Sequence, residues 1–276
     1  MKRTKRGVRS PSSKLLPEGS PSPQSSPASV RCGNGKGRSL RFAAIDALRG
    51  GAVALMVVYH FCFDLEYYGW IQANFNGSPF WLTARNIIVS LFLCVVGISL
   101  VLANRNAIDW RAWLRRFGIL AGSAALVTAS SYALFPRSWI FFGVLHFVAI
   151  ASLLGLAFLR WHRLVLAMGI ILVVVGSIVE LPFFDRPALQ WLGLMTYKPV
   201  TEDYVPLLPW FGVVLIGMFL GRLALTEKRL APLLAWRPKG APGRSLAFAG
   251  RHSLLIYMLH QPVLMGVLYL FKLLVR

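Results

Sequence analysis

Long apolar stretches alternate with short polar ones from residue 41 to the end of the chain. Each apolar stretch has close to the ~20 residues that an α-helix needs to cross the hydrocarbon core of a bilayer. They run over 45–64, 84–103, 115–135, 139–159, 164–181, 207–225 and 253–275. The pattern predicts an all-α fold, a polytopic integral membrane bundle of about seven transmembrane helices.

The first 40 residues are rich in Ser, Pro, Gly, Lys and Arg and poor in apolar side chains. Such a segment buries too little apolar surface to offset its chain entropy. We therefore predict a disordered basic tail over 1–40 and a membrane domain over 41–276. Because no apolar core of a signal peptide occurs before residue 42, we expect an uncleaved cytoplasmic tail.

The charged residues indicate how the chain lies in the membrane. Only 14% of residues are charged, yet the formal net charge is +20. Basic residues concentrate in the loops after the second, fourth and sixth apolar stretches, a bias typical of cytoplasmic loops. This predicts a multi-pass membrane protein with its N-terminus inside, and we expect it in the plasma (inner) membrane. The same bias explains most of the charge, so the predicted partner is the lipid bilayer and not nucleic acid.

The first apolar stretch carries four ionisable residues on one helical face: Asp46, Arg49, His60 and Asp64. Arg49 and His60 lie close to three helical turns apart, roughly 16 Å of rise, and each has an acidic neighbour one turn away. Ionisable groups at membrane depth usually face a bundle interior or a water-filled cavity. The glycines at 50–51 would let another helix or a ligand approach the backbone closely.

Each of these residues also has a purely structural explanation. Arg49 can anchor the inner end of the helix with its side chain reaching to the headgroups, and Asp46 can simply pair with it. His60 can be an interfacial histidine bonded to a neighbouring helix. The shared face favours a functional role for the four together.

Two further histidines lie within the predicted spans. His146, in FFGVLHF, is expected in the outer half of the fourth helix, at a depth similar to that of His60. His260, in IYMLHQP, is expected deeper towards the inside. Taken alone, either histidine is more typical of packing than of catalysis.

The sequence resembles a known family along nearly all of its membrane domain. RFAAIDALRGGAVALMVVYHFCFDL, FLCVVGISLVLANR, FFGVLHFVAIASLL and SLLIYMLHQPVL occur in the order found in the heparan-alpha-glucosaminide N-acetyltransferase-like catalytic domain. The spacing from Arg49 to His60, and the late Tyr257…His260-Gln261-Pro262, are also similar to acyltransferase-3 membrane proteins.

The resemblance implies a transmembrane acyl-CoA-dependent acyltransferase over 41–276. Such enzymes take an acyl group, usually acetyl, from cytoplasmic acetyl-CoA and deliver it to an amine or hydroxyl on the far side. The acceptor would be an envelope glycan or glycolipid. Lysosomal members place a proposed active histidine in the loop after the first motif helix, but loop 65–82 here has none. The reactive histidine is therefore assigned to His60, following the acyltransferase-3 pattern.

The candidate site residues follow from the resemblance and from the polar stripe of the first apolar stretch, formed by Asp46, Arg49, His60 and Asp64. His60, Asp64, His146 and His260 are the catalytic candidates, with Asp64 accepting a hydrogen bond from the His60 ring. Arg49, with Asp46 beside it, is the candidate for holding a phosphate of the coenzyme.

Two other functional classes fit the same residues. In a transporter or flippase, the stripe would line a substrate or proton path. In a haem protein, two of His60, His146 and His260 would be axial ligands. The three cysteines form no CxxC or other metal-binding spacing, so no metal site is predicted.

Overall fold

The computed structural model describes residues 42–275, which form nine α-helices, three short 3-10 turns and no strand. The helices are α1 Ala43–Tyr67, α2 Pro79–Ala103, α3 Trp110–Leu134, α4 Val144–Phe158, α5 His162–Ile178, α6 Leu207–Thr226, α7 Ala231–Ala235, α8 Ala241–Arg251 and α9 Ser253–Leu274. Every predicted apolar stretch coincides with a helix, so the prediction of an all-α membrane bundle is confirmed. The predicted tail lies outside the described residues.

The helices differ in whether they are long enough to cross a bilayer. α1, α2, α3, α6 and α9 are long and apolar enough to do so. The helices α4 and α5 have 15 and 17 residues. At 1.5 Å per residue, both are shorter than the ~30 Å of a bilayer core. The surface of α9 is mostly apolar and exposed, with only Leu268 buried. That surface suits contact with lipid.

The centre of the bundle is formed where α2 and α6 cross at glycines. A Cβ added to Gly97 of α2 would overlap the carbonyl of Val214 in α6, and one added to Gly217 of α6 would overlap the carbonyl of Cys94. Small residues at these positions let the two backbones touch, which is how helices commonly associate in membranes. Leu215 is fully buried beside this crossing.

A second close crossing joins α1 to α8, a helix that the apolar pattern did not predict. A Cβ added to Gly50 would overlap the carbonyl of Leu246, and one added to Gly250 would overlap that of Asp46. The close approach expected at Gly50 is therefore confirmed, and the partner is a helix. A Cβ added to Gly51 would meet no atom within 4 Å.

The first and last long helices, α1 and α9, run parallel. Gln261 donates a hydrogen bond to Asp64, and the Tyr68 hydroxyl donates one to the carbonyl of Met265. Both pairs are 197 residues apart, so the same register holds along the contact. This register brings the polar face of α1 against the His-Gln pair of α9.

Candidate active site

The His60 and His260 rings are in contact where α1 meets α9. Their centroids are 4.9 Å apart and their planes meet at 63°. The expectation that His260 lies deeper towards the inside than His60 is therefore wrong. Gly250, near the end of α8, lies against Gly50, and α9 begins just after it at Ser253 and runs parallel to α1, so each histidine lies ten residues beyond a crossing glycine.

The Asp64 carboxylate is buried beside this pair and is bound by the last helix. Asp64 is 1% exposed, and its Oδ1 accepts a hydrogen bond of 2.7 Å from Gln261 Nε2. The hydrogen bond predicted from His60 to Asp64 does not form. Asp64 Oδ2 and His60 Nδ1 have no hydrogen-bond partner among residues 42–275. The side-chain amide of Gln261 on α9 binds Asp64, for which the sequence had predicted His60 as the partner.

Four polar atoms without a partner belong to the residues that meet here. Five buried side-chain nitrogen or oxygen atoms lack a hydrogen bond among residues 42–275. Four of them belong to this cluster: His60 Nδ1, Asp64 Oδ2, His260 Nε2 and Gln261 Oε1. Buried polar groups are normally hydrogen-bonded, and exceptions often mark functional sites. The cluster is therefore suited to bind a polar ligand rich in hydrogen-bond donors.

The hydrogen bond of His260 determines which ring nitrogen can act as a base. His260 Nδ1 lies 2.7 Å from the Tyr257 carbonyl oxygen. A carbonyl can only accept, so Nδ1 carries the hydrogen and Nε2 of the neutral ring presents a lone pair. Because Nε2 is buried and has no partner, it can take a proton from a bound hydroxyl or amine.

His146 lies in a separate hydrogen-bonded chain. Its Nδ1 accepts from the Gly143 amide at 3.3 Å, and its Nε2 lies 3.0 Å from Thr128 Oγ1. The threonine hydroxyl donates to the Ile140 carbonyl, so it accepts from His146. Both ring nitrogens are thus occupied. The structure does not bring His146 into the ring contact that joins His60 and His260.

Asp203, which the sequence did not indicate, is a further acidic group that is hydrogen-bonded to α9. Its Oδ2 accepts hydrogen bonds from the Tyr257 hydroxyl at 2.7 Å and the Val144 amide at 2.9 Å. Burial raises the pKa of Asp203, and these two hydrogen bonds oppose the rise. Asp203 lies in the loop between α5 and α6, 54 residues before Tyr257, so no helical spacing connects them.

Arg49 and Asp46 form the predicted pair, at the opposite end of α1 from His60. Arg49 Nη1 lies 3.3 Å from Asp46 Oδ1 and 3.3 Å from the Gly250 carbonyl oxygen. Its Nη2 donates to Ser99 Oγ of α2 at 2.6 Å. Arg49 therefore connects α1, α2 and α8.

The fold and site together define a class: a polytopic helical membrane protein with a buried histidine, carboxylate and amide cluster between its first and last long helices. The chain belongs to the family described as heparan-alpha-glucosaminide N-acetyltransferase, catalytic, which matches residues 41–262. The family resemblance seen in the sequence is confirmed. No curated protein and no solved structure matches the chain significantly. Membership of this family makes the chain a membrane-bound transferase.

Proposed function

We propose that the protein transfers an acyl group, acetyl in the first instance, from acyl-CoA to an amine or hydroxyl of an envelope glycan or glycolipid. It does so in the plasma membrane, with its N-terminal tail and the donor on the cytoplasmic side and the acceptor on the other. The observation that carries this proposal is the contact between His60 and His260 beside buried polar atoms that lack partners.

The chemistry of the transfer follows from which atoms are available. The acceptor nitrogen or oxygen attacks the thioester carbonyl carbon while His260 Nε2 takes its proton. The carbon–sulfur bond then breaks, and the coenzyme leaves as a thiolate that takes the proton from His260 Nε2 to become the free thiol, which restores the neutral base. His60, whose ring contacts that of His260, donates its N–H to the thioester oxygen, on which negative charge develops.

Asp64 and Gln261 orient the acceptor. Asp64 Oδ2 and Gln261 Oε1 can each accept a hydrogen bond, and neither has a donor within the described residues. A sugar amine or hydroxyl offers such donors. Gln261 fixes the orientation of the Asp64 carboxylate through the bond between them.

Arg49, with Asp46 beside it, contacts a phosphate of the coenzyme at the cytoplasmic end of α1 in this proposal. The roughly 16 Å of helical rise between Arg49 and His60 suits an extended pantetheine arm. Because Arg49 already binds Asp46, Ser99 and the Gly250 carbonyl, a phosphate would add to these contacts or replace some of them. His146, with both nitrogens occupied, supports the start of α4 and transfers no proton.

The direct test is incubation of membranes containing the full chain with acetyl-CoA labelled in its acetyl group. We expect label in a glycan or glycolipid fraction and an equal amount of free coenzyme, neither of which appears with membranes lacking the chain. A flippase would redistribute an envelope lipid without releasing coenzyme. Absence of both label transfer and coenzyme release would exclude the proposed reaction.

A further inference from the structure

A carboxylate outside the histidine cluster is bonded to the helix that carries His260. Asp203 Oδ2 accepts from the Tyr257 hydroxyl on α9 and from the Val144 amide at the first residue of α4. One oxygen atom thus connects the α5–α6 loop to two helices. The first turn of α4 leaves its amides without helical partners, so the carboxylate also satisfies one of them.

Tyr257 connects Asp203 to His260. The carbonyl of Tyr257 accepts the hydrogen bond from His260 Nδ1 that fixes the ring tautomer. The side-chain ring of the same tyrosine lies 5.7 Å from the His260 ring. Tyr257 is therefore in contact with His260 through both its backbone and its side chain, and its hydroxyl is held by Asp203.

The loop itself does not depend on the bond between Asp203 and Tyr257. The Glu202 amide donates to the Ser138 carbonyl, and the Val205 amide donates to the Phe142 carbonyl. The Thr201 hydroxyl donates to the Trp139 carbonyl at 2.9 Å. These bonds attach the residues on both sides of Asp203. The Tyr257 hydroxyl is thus not required to close the loop.

We propose that Asp203 and Tyr257 are positioning residues for the transfer, acting as one hydrogen-bonded unit that holds His260 Nε2 in line with the acceptor. This inference rests on the proposed function. Misplacing a catalytic group by a fraction of its contact distance slows the chemical step more than it weakens substrate binding. Loss of the bond should therefore lower kcat and leave KM nearly unchanged.

The test compares Tyr257→Phe, Asp203→Asn and the double variant in membranes with equal amounts of full chain, using labelled acetyl-CoA as the probe. Tyr257→Phe removes only the hydroxyl and should lower kcat by about 10- to 100-fold, the value of a hydrogen bond to a carboxylate. Asp203→Asn keeps an oxygen that can accept the hydroxyl and should retain more activity. The double variant should be no slower than Tyr257→Phe, because both changes act on one bond.

Glu202→Gln is the matched control, since this exposed neighbouring carboxylate accepts from the Ser138 hydroxyl instead of from a group on α9. It should behave as the wild type. The inference is overturned if Tyr257→Phe has the kcat of this control or changes mainly KM. It is also overturned if the fall in kcat of the double variant equals the product of the falls in the two single variants. A wild-type chain that transfers no acetyl group would instead overturn the proposed function, and this inference with it.

Discussion

The rings of His60 and His260 touch at a centroid distance of 4.9 Å, although 200 residues separate them (260 minus 60). The contact depends on the parallel register of α1 and α9, which two hydrogen bonds between these helices hold, and on the crossing of α1 with α8 at Gly50 and Gly250, just before α9 begins. Changes to that register should therefore affect the site, and changes elsewhere on the same helices should not.

Replacing Gly50 by alanine should destabilise the fold, because the new methyl group would overlap the Leu246 carbonyl of α8. We expect a loss of about 1–3 kcal/mol in the free energy of unfolding, the usual effect of overpacking. Gly51→Ala is the matched control, since a Cβ there meets no atom within 4 Å. Thermal unfolding in detergent measures both. Equal melting temperatures for the two variants would contradict the crossing of α1 and α8.

Gln261→Ala should leave the Asp64 carboxylate buried without its hydrogen-bond donor. A buried polar group that loses its partner costs about 1–3 kcal/mol, so the variant should unfold at a lower temperature. Gln72→Ala, in an exposed loop position, is the control. If the Gln261 variant were as stable as the control, Asp64 would have another partner and the assignment would fail.

Arg49→Ala should raise KM for acetyl-CoA by about tenfold, because the proposed charge-assisted contact to a phosphate of the coenzyme would be lost. The variant should also be less stable, since Arg49 binds Ser99 and the Gly250 carbonyl. Arg244→Ala removes an exposed arginine of α8 as a control. Lower stability with an unchanged KM for acetyl-CoA would show that Arg49 connects the helices and does not bind the coenzyme.

Asp203 should make stability depend on pH. Its pKa in the folded protein is raised, chiefly by burial. A group with a raised folded pKa contributes stability that is present below its unfolded pKa and lost as pH rises through its folded pKa. The melting temperature of the wild type should therefore fall relative to that of Asp203→Asn as pH increases from about 4 upward. A melting temperature of the wild type that rises relative to that of Asp203→Asn as pH increases would contradict this prediction. It would show that the fold stabilises the ionised carboxylate.

The spacing of residues along the sequence predicted the long helices and the side-chain pairs within a single helix. The apolar stretches gave all of the long helices, and three-residue spacing gave the pair of Asp46 with Arg49. Spacing could not show that Asp64 would bind Gln261, because that choice depends on the register of two distant helices. The predicted depth of His260 relative to His60 was wrong for the same reason, because it too depends on that register.

Asp203 shows a different limit of sequence analysis. It is one of several charged residues in a loop of mixed sign, and its partners Tyr257 and Val144 lie on two helices. Only in the folded chain do the Tyr257 hydroxyl and the Val144 amide donate to the same oxygen of Asp203. The short helix α8 was missed because its apolar face is too brief to suggest a span, although its Gly250 lies against Gly50 of α1.

The most direct test of the central claim is the rate of acetyl transfer by His60→Ala and His260→Ala, with His252→Ala as the control. His252 is exposed at the end of α8, eight residues before His260 (260 minus 252). Loss of a general acid–base group typically lowers the rate by about 10²- to 10⁴-fold. We expect a loss of that size in His260→Ala, strong loss in His60→Ala, and wild-type rates in His252→Ala. Full activity of folded His60→Ala or His260→Ala would contradict a reaction centre at this pair of rings.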